Sequence, residues 1–239
     1  MQVSTHALVL SAVKYAEADL IVRCFTEDHG LRSYMLRGVL KSRKGKLRAS
    51  LFQPMTLLQL EAYHKDKGTL ERIKEARIWI PLQTIHTDVY KSSIALFLSE
   101  MLSQAIKEEE AQPDLFEYIS GSLVWLDSHD RIGHFLLLFL LKLTGYLGFY
   151  PDVTNMEATA FDLQEGRFVD HLEGDWVRTG DWMPQFRALF GMDFDAVSEA
   201  NWPKSRRKEL LDLLLLYYQL HLQGYKKPRS LSVLNQLYN

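Results

Sequence analysis

The hydrophobic pattern of this chain changes its period near residue 80, and this change limits the folds available to it. Before that point the apolar runs are short, β-rich and separated by Gly, Pro or charged turn residues. Beyond it, apolar residues recur at three- and four-residue spacing over long stretches. A chain of 239 residues is long enough for more than one core. We therefore predict a multidomain α+β protein, with a β-rich domain over residues 1–80 and a helical domain over residues 81–239.

The N-terminal domain contains five candidate strands. An open sheet of this size would leave exposed edges, so five short strands predict a closed or nearly closed small barrel. The pair His29-Gly30 predicts a tight turn between the second and third strands. The five segments are His6–Val13, Asp19–Thr26, Leu31–Val39, Pro54–Tyr63 and Thr69–Ile78.

The second part of the chain predicts four helices. The pattern from Ile94 to Ala105 indicates an amphipathic helix that ends near the run KEEE, and Pro113 suits the first turn of the next helix. The most apolar run, Phe135–Leu143, is too short to span a bilayer and contains Lys142, so it predicts a buried helix and not a membrane span. The two later helices are predicted over Arg131–Gly148 and Lys204–Gly224.

The section from Pro151 to Met183 differs from the helices around it. It holds eight acidic residues and only two basic ones, Arg167 and Arg178. The stretch AFDLQEGRFVDH predicts a β-hairpin that turns at Glu165-Gly166. We predict that residues 151–183 form a small acidic insert packed on the helices.

Positive charge is concentrated between the third and fourth predicted strands. Residues 1–80 hold 14 Lys and Arg against 8 Asp and Glu, whereas the remainder holds 14 against 22. No acid occurs between His29 and Leu60. Such an asymmetry predicts contact with a polyanion, because each cation that neutralises a phosphate releases counterions. The basic segment, as we name it, comprises Arg37, Lys41, Arg43, Lys44, Lys46 and Arg48, and Arg32 precedes it.

Two aromatic residues flank the basic segment. Single-strand binding proteins combine a positive groove with aromatic rings on which bases stack. Tyr34 is therefore a candidate stacking residue, with core packing an equal alternative, whereas Phe52 favours core packing.

The composition argues against catalysis. The single cysteine, Cys24, lies in an apolar run, which favours a small buried hydrophobe and excludes an internal disulfide. No phosphate-binding glycine loop, HExxH or GxSxG is present, and His129 and His134 are spaced for different helix faces. We expect a protein that is not an enzyme and needs no cofactor or metal. The N-terminus lacks the features of a secretory signal, so we expect a cytoplasmic location.

Several motifs resemble, in order, those of the bacterial recombination mediator family RecO. The resemblance spans nearly the whole chain. It is carried by E-x-D-L-I-V (Glu17–Val22), T-E-x-x-G (Thr26–Gly30), the basic segment, LFQPMTLLQLE (Leu51–Glu61), LLKLTGYLGFYPD (Leu140–Asp152) and KPRSLSVLNQLY (Lys227–Tyr238).

This resemblance implies a fold and a function. It implies an N-terminal OB-fold barrel followed by a helical domain. It also implies binding of single- and double-stranded DNA, annealing of complementary strands, and action with RecR to help RecA replace the single-strand binding protein. By position, the six cations of the basic segment match the family's DNA contacts.

Two further features of the family are a zinc module in many members and a site for a partner peptide. Many members carry four zinc-binding cysteines where this chain has residues 151–183, which hold no cysteine and only His171. We therefore expect no zinc. The acidic C-terminal tail of the single-strand binding protein needs cations beside an apolar groove. The available cations are Arg131, Lys142, Arg206, Arg207 and Arg229.

Two alternatives stay open. Phosphates of RNA satisfy a basic loop as well as those of DNA, so an RNA-binding OB protein is one. The other is an adaptor that uses only its helical domain and has no direct role with nucleic acid.

Overall fold

The computed structural model describes residues 1–41, 47–65 and 70–238. The chain forms two compact units. The first comprises Met1–Ser128 and Pro228–Leu234, and the second comprises His129–Lys227 with the residues from Asn235 onward. The division of the chain into domains at residue 80 stays a prediction.

Five antiparallel strands form the sheet of the first unit, as predicted. The hydrogen-bonded order is β3-β2-β1-β4-β5, so the first strand lies at the centre. The bounds are β1 Gln2–Tyr15, β2 Asp19–Thr26, β3 Gly30–Leu36, β4 Leu57–Tyr63 and β5 Arg72–Ile80.

The sheet closes on itself between β3 and the residue before β5. The backbone nitrogen of Met35 donates to the carbonyl of Glu71 at 2.9 Å, and the nitrogen of Glu71 donates to the carbonyl of Ser33 at 2.8 Å. These bonds form a parallel bridge between Tyr34 and Glu71. Because closure pairs the edge strands, the sheet becomes a small barrel, and the strand order with this closure is that of an OB-fold.

The barrel interior is filled by side chains from all five strands. Tyr34, Leu58 and Leu60 are fully buried there. A short 3-10 helix, Ala49–Phe52, adds the ring of Phe52, which is 1% exposed. Cys24 is also buried, which raises the pKa of its thiol. The core roles predicted for Phe52 and Cys24 are therefore confirmed.

Two helices, α1 (Val89–Ala105) and α2 (Pro113–Ser128), belong to the first unit. The first ends just before the KEEE run and the second begins at Pro113, as the sequence predicted. Asp127, near the end of α2, fixes the connection between β5 and α1. Its carboxylate accepts hydrogen bonds from the backbone nitrogens of Gln83 and Thr84 at 2.7 Å and from that of Ile85 at 2.9 Å.

The second unit contains more elements than the sequence predicted. The most apolar run forms a buried helix, as expected, but both predicted helices are shorter than their patterns, and two short helices lie between them. The elements are α3 Phe135–Tyr146, α4 Met183–Phe190, α5 Phe194–Glu199 and α6 Lys204–His221. The last helix of the chain, α7, covers Leu231–Tyr238.

The acidic insert folds around the predicted hairpin, to which a third strand is added. Strands β6 (Ala160–Asp162), β7 (Arg167–Val169) and β8 (Val177–Arg178) form a sheet in the order β7-β6-β8. The buried ring of Phe161 lies 5.0 Å from those of both Phe168 and Phe186 of α4. Apolar packing therefore holds the insert on the helices of its own unit.

Candidate nucleic-acid interface

The start of the basic segment is fixed to the turn that joins β1 and β2. The backbone nitrogen of Gly38 donates to the Asp19 carboxylate at 2.7 Å, and that of Leu40 donates to the Ala18 carbonyl at 3.0 Å. The amine of Lys41 then meets the carboxylate of Glu17 at 3.2 Å. The first part of the basic segment is thus held against the end of the barrel.

The structure places half of the predicted basic segment and leaves the other half outside the described residues. Arg37, Lys41 and Arg48 are exposed. Among the described residues, Arg37 and Arg48 have no ion-pair partner. The remaining three members, Arg43, Lys44 and Lys46, lie outside the described residues.

The prediction that Tyr34 presents its ring for stacking is corrected by the structure. Its side chain has no exposed surface, because it points into the barrel. Its hydroxyl is hydrogen-bonded to Nε2 of His64 at 2.9 Å, and burial raises the pKa of that hydroxyl. A base has no access to the ring, so Tyr34 is a core residue.

Arg32 is also displaced from the candidate set. Its side chain is only 13% exposed, and its guanidinium lies 3.8 Å from the carboxylate of Glu109. Its Nε donates to the carbonyl of His29 at 2.9 Å. The loop after α1 therefore brings an acid to a region where the local sequence shows none, and these contacts argue against a phosphate contact by Arg32.

A groove of about 630 Å³ opens next to the basic segment. Buried apolar side chains, among them Leu36, Val39 and Ile73, lie behind its surface. Exposed cations from three separate parts of the first unit line it. They are Arg37, Lys65, Arg72 and Lys74.

Sequence reasoning missed Lys65, Arg72 and Lys74 as site residues. A local signal was present for two of them, because Arg72 and Lys74 alternate with the buried Ile73 along β5. Their proximity to Arg37 depends on the closure of the barrel at Glu71, which residue spacing does not reveal. These three cations extend the positive surface beyond the basic segment.

An exposed tyrosine adjoins the groove on the outer face of β4. Tyr63 is the ladder partner of Arg72 and is 39% exposed. It also interacts electrostatically with Lys74, whose amine donates to the Glu61 carboxylate at 3.2 Å. That hydrogen bond raises the pKa of Lys74. The face therefore combines an aromatic ring with cations.

Two of the predicted peptide-binding cations lie close to the start of α3. Arg131 pairs with Glu199 at 2.5 Å, and the guanidinium of Arg207 donates to the Gly133 carbonyl at 3.3 Å. The structure thus brings Arg131 and Arg207 to the same end of that helix.

The other three cations have different surroundings. Arg206 pairs with Glu209 at 2.7 Å, one turn further along α6. Lys142 is half-buried in α3, and Arg229 is an exposed residue of the first unit. The peptide-binding role of all five cations stays a prediction.

The described ranges contain no group of three or more His, Cys, Asp or Glu side chains positioned to hold a metal ion. Within the same ranges, no helix is long and apolar enough to cross a membrane.

The fold and the exposed cations define an OB-type barrel protein with a helical C-terminal part. Comparison with known proteins assigns both parts. Residues 1–81 match the family model described as recombination protein O N terminal, and residues 86–230 match recombination protein O C terminal. The chain therefore belongs to the recombination protein O (RecO) family of DNA repair proteins.

Full-length relatives agree with this assignment. The chain is 45% identical over 238 residues to the DNA repair protein RecO of Christiangramia forsetii, with all of both chains covered. It is 44% and 42% identical to the proteins of that name from Flavobacterium psychrophilum and Flavobacterium johnsoniae, again over the full length of both chains.

Proposed function

We propose that this protein is a mediator of homologous recombination that binds DNA through its barrel. It binds single- and double-stranded DNA and anneals complementary strands. With RecR, it helps RecA replace the single-strand binding protein. It acts in the bacterial cytoplasm, at the nucleoid during repair, and it does not hydrolyse nucleotide.

The observation that supports this proposal most directly is the placement of exposed cations on one part of the barrel. Arg37 both belongs to the basic segment and lines the groove that Lys65 and Arg72 also line. Among the described residues, none of these three has an ion-pair partner. Glu71 also lines the groove, but its carboxylate is buried and lies 3.3 Å from the ring of His64. The three exposed cations therefore remain available to phosphates.

A mediator must bind DNA of any base sequence, and contact through charge explains how it can. Contacts to phosphate position a nucleic acid but carry no sequence information. Affinity that comes from counterion release falls steeply as salt rises. Annealing follows from the same property, because a surface that neutralises two strands lowers the repulsion between them.

The test is to replace Lys41, Arg43, Lys44 and Lys46 by Ala in the full chain and measure affinity for single-stranded DNA over a range of salt concentrations. We expect a large loss with every sequence, and a salt slope shallower by about 0.7 per lost contact. The matched control removes the same charge from exposed positions of the second unit, Lys204, Lys208, Lys226 and Lys227, and should retain wild-type affinity.

The two alternatives predict other outcomes. An adaptor with an incidental basic segment keeps its DNA affinity in the four-residue variant. An RNA-binding protein prefers RNA when matched DNA and RNA oligomers compete, because only contacts to the 2′-hydroxyl separate the two polymers. Either result would contradict the proposal, as would annealing that requires ATP.

The peptide partner needs a separate experiment on the second unit. An acidic peptide with an apolar C-terminal residue is titrated into wild-type protein and into Arg131→Ala and Arg207→Ala variants. We expect both variants to bind the peptide more weakly and single-stranded DNA as well as before. Unchanged peptide affinity would remove these two cations from the peptide site.

A further inference from the structure

The groove beside the basic segment combines two chemistries that a phosphate contact alone does not require. Exposed cations line it, but so does the apolar side chain of Leu70, which is 43% exposed, and the core residues Leu36, Val39 and Ile73 lie behind this surface. A cationic surface for phosphates needs no such apolar side chain. The apolar area indicates that part of the ligand is uncharged and must leave water to bind.

Tyr63 adds a third feature at the edge of this groove. Its ring is 39% exposed, and it projects on the same face of the β4–β5 ladder as its partner Arg72, which lines the groove. Lys74, also a lining residue, interacts electrostatically with it. An exposed aromatic ring beside cations suits a ligand that alternates negative charge with flat rings.

We propose that this groove receives an unpaired nucleobase of a single strand, with Tyr63 as the stacking surface and Arg72 and Lys65 on the adjoining phosphates. This inference rests on the proposed function and specifies which form of DNA the groove takes. In a duplex the bases are paired and stacked on one another, so no base face is free to stack on a protein ring. The groove therefore discriminates single from double strands, whereas the basic segment binds both.

An acidic peptide with apolar residues is the other ligand that such a groove fits. The base is favoured because the groove is continuous, through Arg37, with a segment that lacks acids from His29 to Leu60. A nucleic-acid strand that follows this segment carries a phosphate at every nucleotide and presents a base beside each phosphate.

The test compares Tyr63→Ala, Tyr63→Phe and wild-type protein in the full chain by fluorescence anisotropy. Three ligands of equal phosphate number are used, namely an oligothymidylate, an abasic oligomer and a hairpin duplex. We expect Tyr63→Ala to weaken binding of the oligothymidylate about ten-fold. Binding of the abasic oligomer and the duplex should be unchanged, and Tyr63→Phe, which retains the ring, should behave as wild type.

A matched control is Tyr90→Ala, which removes a tyrosine that is 50% exposed from α1 of the same unit. It should bind all three ligands as wild type does. Thermal unfolding of each variant checks folding, and Tyr63→Leu provides a second substitution without an aromatic ring.

The inference is overturned if Tyr63→Ala weakens binding of the abasic oligomer and of the oligothymidylate equally, or if it weakens binding of neither. It is also overturned if Tyr63→Ala weakens binding of an acidic peptide but not of the oligothymidylate, because the groove is then a peptide site. In each case the proposed function stands as long as the variant without Lys41, Arg43, Lys44 and Lys46 loses DNA affinity. Wild-type protein that binds none of the oligomers would refute the proposed function itself.

Discussion

The carboxylate of Glu17 lies 3.2 Å from the amine of Lys41 and forms an ion pair with this cation of the basic segment. Both side chains are well exposed, at 90% and 67%. Exposed ion pairs contribute less than about 1 kcal/mol. A phosphate therefore displaces Glu17 at little cost, and the acid acts as a weak competitor for the same amine.

Replacing Glu17 by Gln should strengthen DNA binding. The substitution removes the competing charge and also a repulsion of nearby phosphates. We expect affinity for single- and double-stranded DNA to rise about two- to four-fold at low salt, and the gain should shrink as salt rises. Glu117→Gln makes the same change of charge on the exposed face of α2 and serves as the control. A decrease in affinity would show that Glu17 positions Lys41 for DNA.

Replacing Tyr34 by Phe should lower stability and leave DNA affinity unchanged. The change removes the buried hydrogen bond to His64 beside the bridge that closes the barrel. Loss of such a bond costs about 1–2 kcal/mol. The free energy of unfolding is measured with denaturant, and affinity at a temperature where the variant is folded. Weaker binding of single strands at full stability would restore Tyr34 as a contact residue.

The β-strands were predictable because their pattern is local. Alternation with a period of two and strong turn residues located all five strands to within a few residues. The same alternation places Tyr34 and Leu36 on one face of β3, and Leu36 is apolar and 1% exposed. The inward direction of Tyr34 was therefore available from the sequence.

The closure of the barrel at Glu71 and the groove beside the basic segment were not predictable in this way. Glu71 closes the barrel by pairing with Ser33 and Met35, which lie more than 30 residues earlier in the chain. The neutralisation of Arg32 by Glu109 joins residues that are still further apart. Pairing at such distances depends on the whole topology, and composition or spacing carries no direct signal of it.

Purified protein should contain zinc at well below one equivalent. Structural zinc sites use four Cys or His ligands, whereas residues 151–183 supply only His171. The buried rings of Phe161 and Phe168 provide the packing that holds this insert. Elemental analysis of protein purified without chelator gives the zinc content. Thermal unfolding with and without a chelator should then agree. A full equivalent of zinc, or a fall in the midpoint with chelator, would contradict this prediction.

The stability of the second unit should fall as the pH decreases from about 6.5 to about 4, and His134 should be a source of this change. His134 is 7% exposed at the start of α3. Burial, together with the nearby Arg207 guanidinium, lowers its pKa to about 4. The unfolded chain, in which a histidine has a pKa near 6.5, therefore binds a proton over this range before the folded chain does. Each pH unit in that window costs at most about 1.4 kcal/mol.

The prediction is checked with His134→Gln, which has no proton to gain in this range. Unfolding in denaturant is followed between pH 4 and 7 by tryptophan fluorescence, to which Trp202 contributes with its ring 5.0 Å from that of His134. The variant should show a flatter dependence of the unfolding free energy on pH than the wild type. His171→Gln removes an exposed histidine from the same unit and serves as the control. Equal slopes for His134→Gln and the wild type would assign the acid sensitivity to the carboxylates of this unit instead.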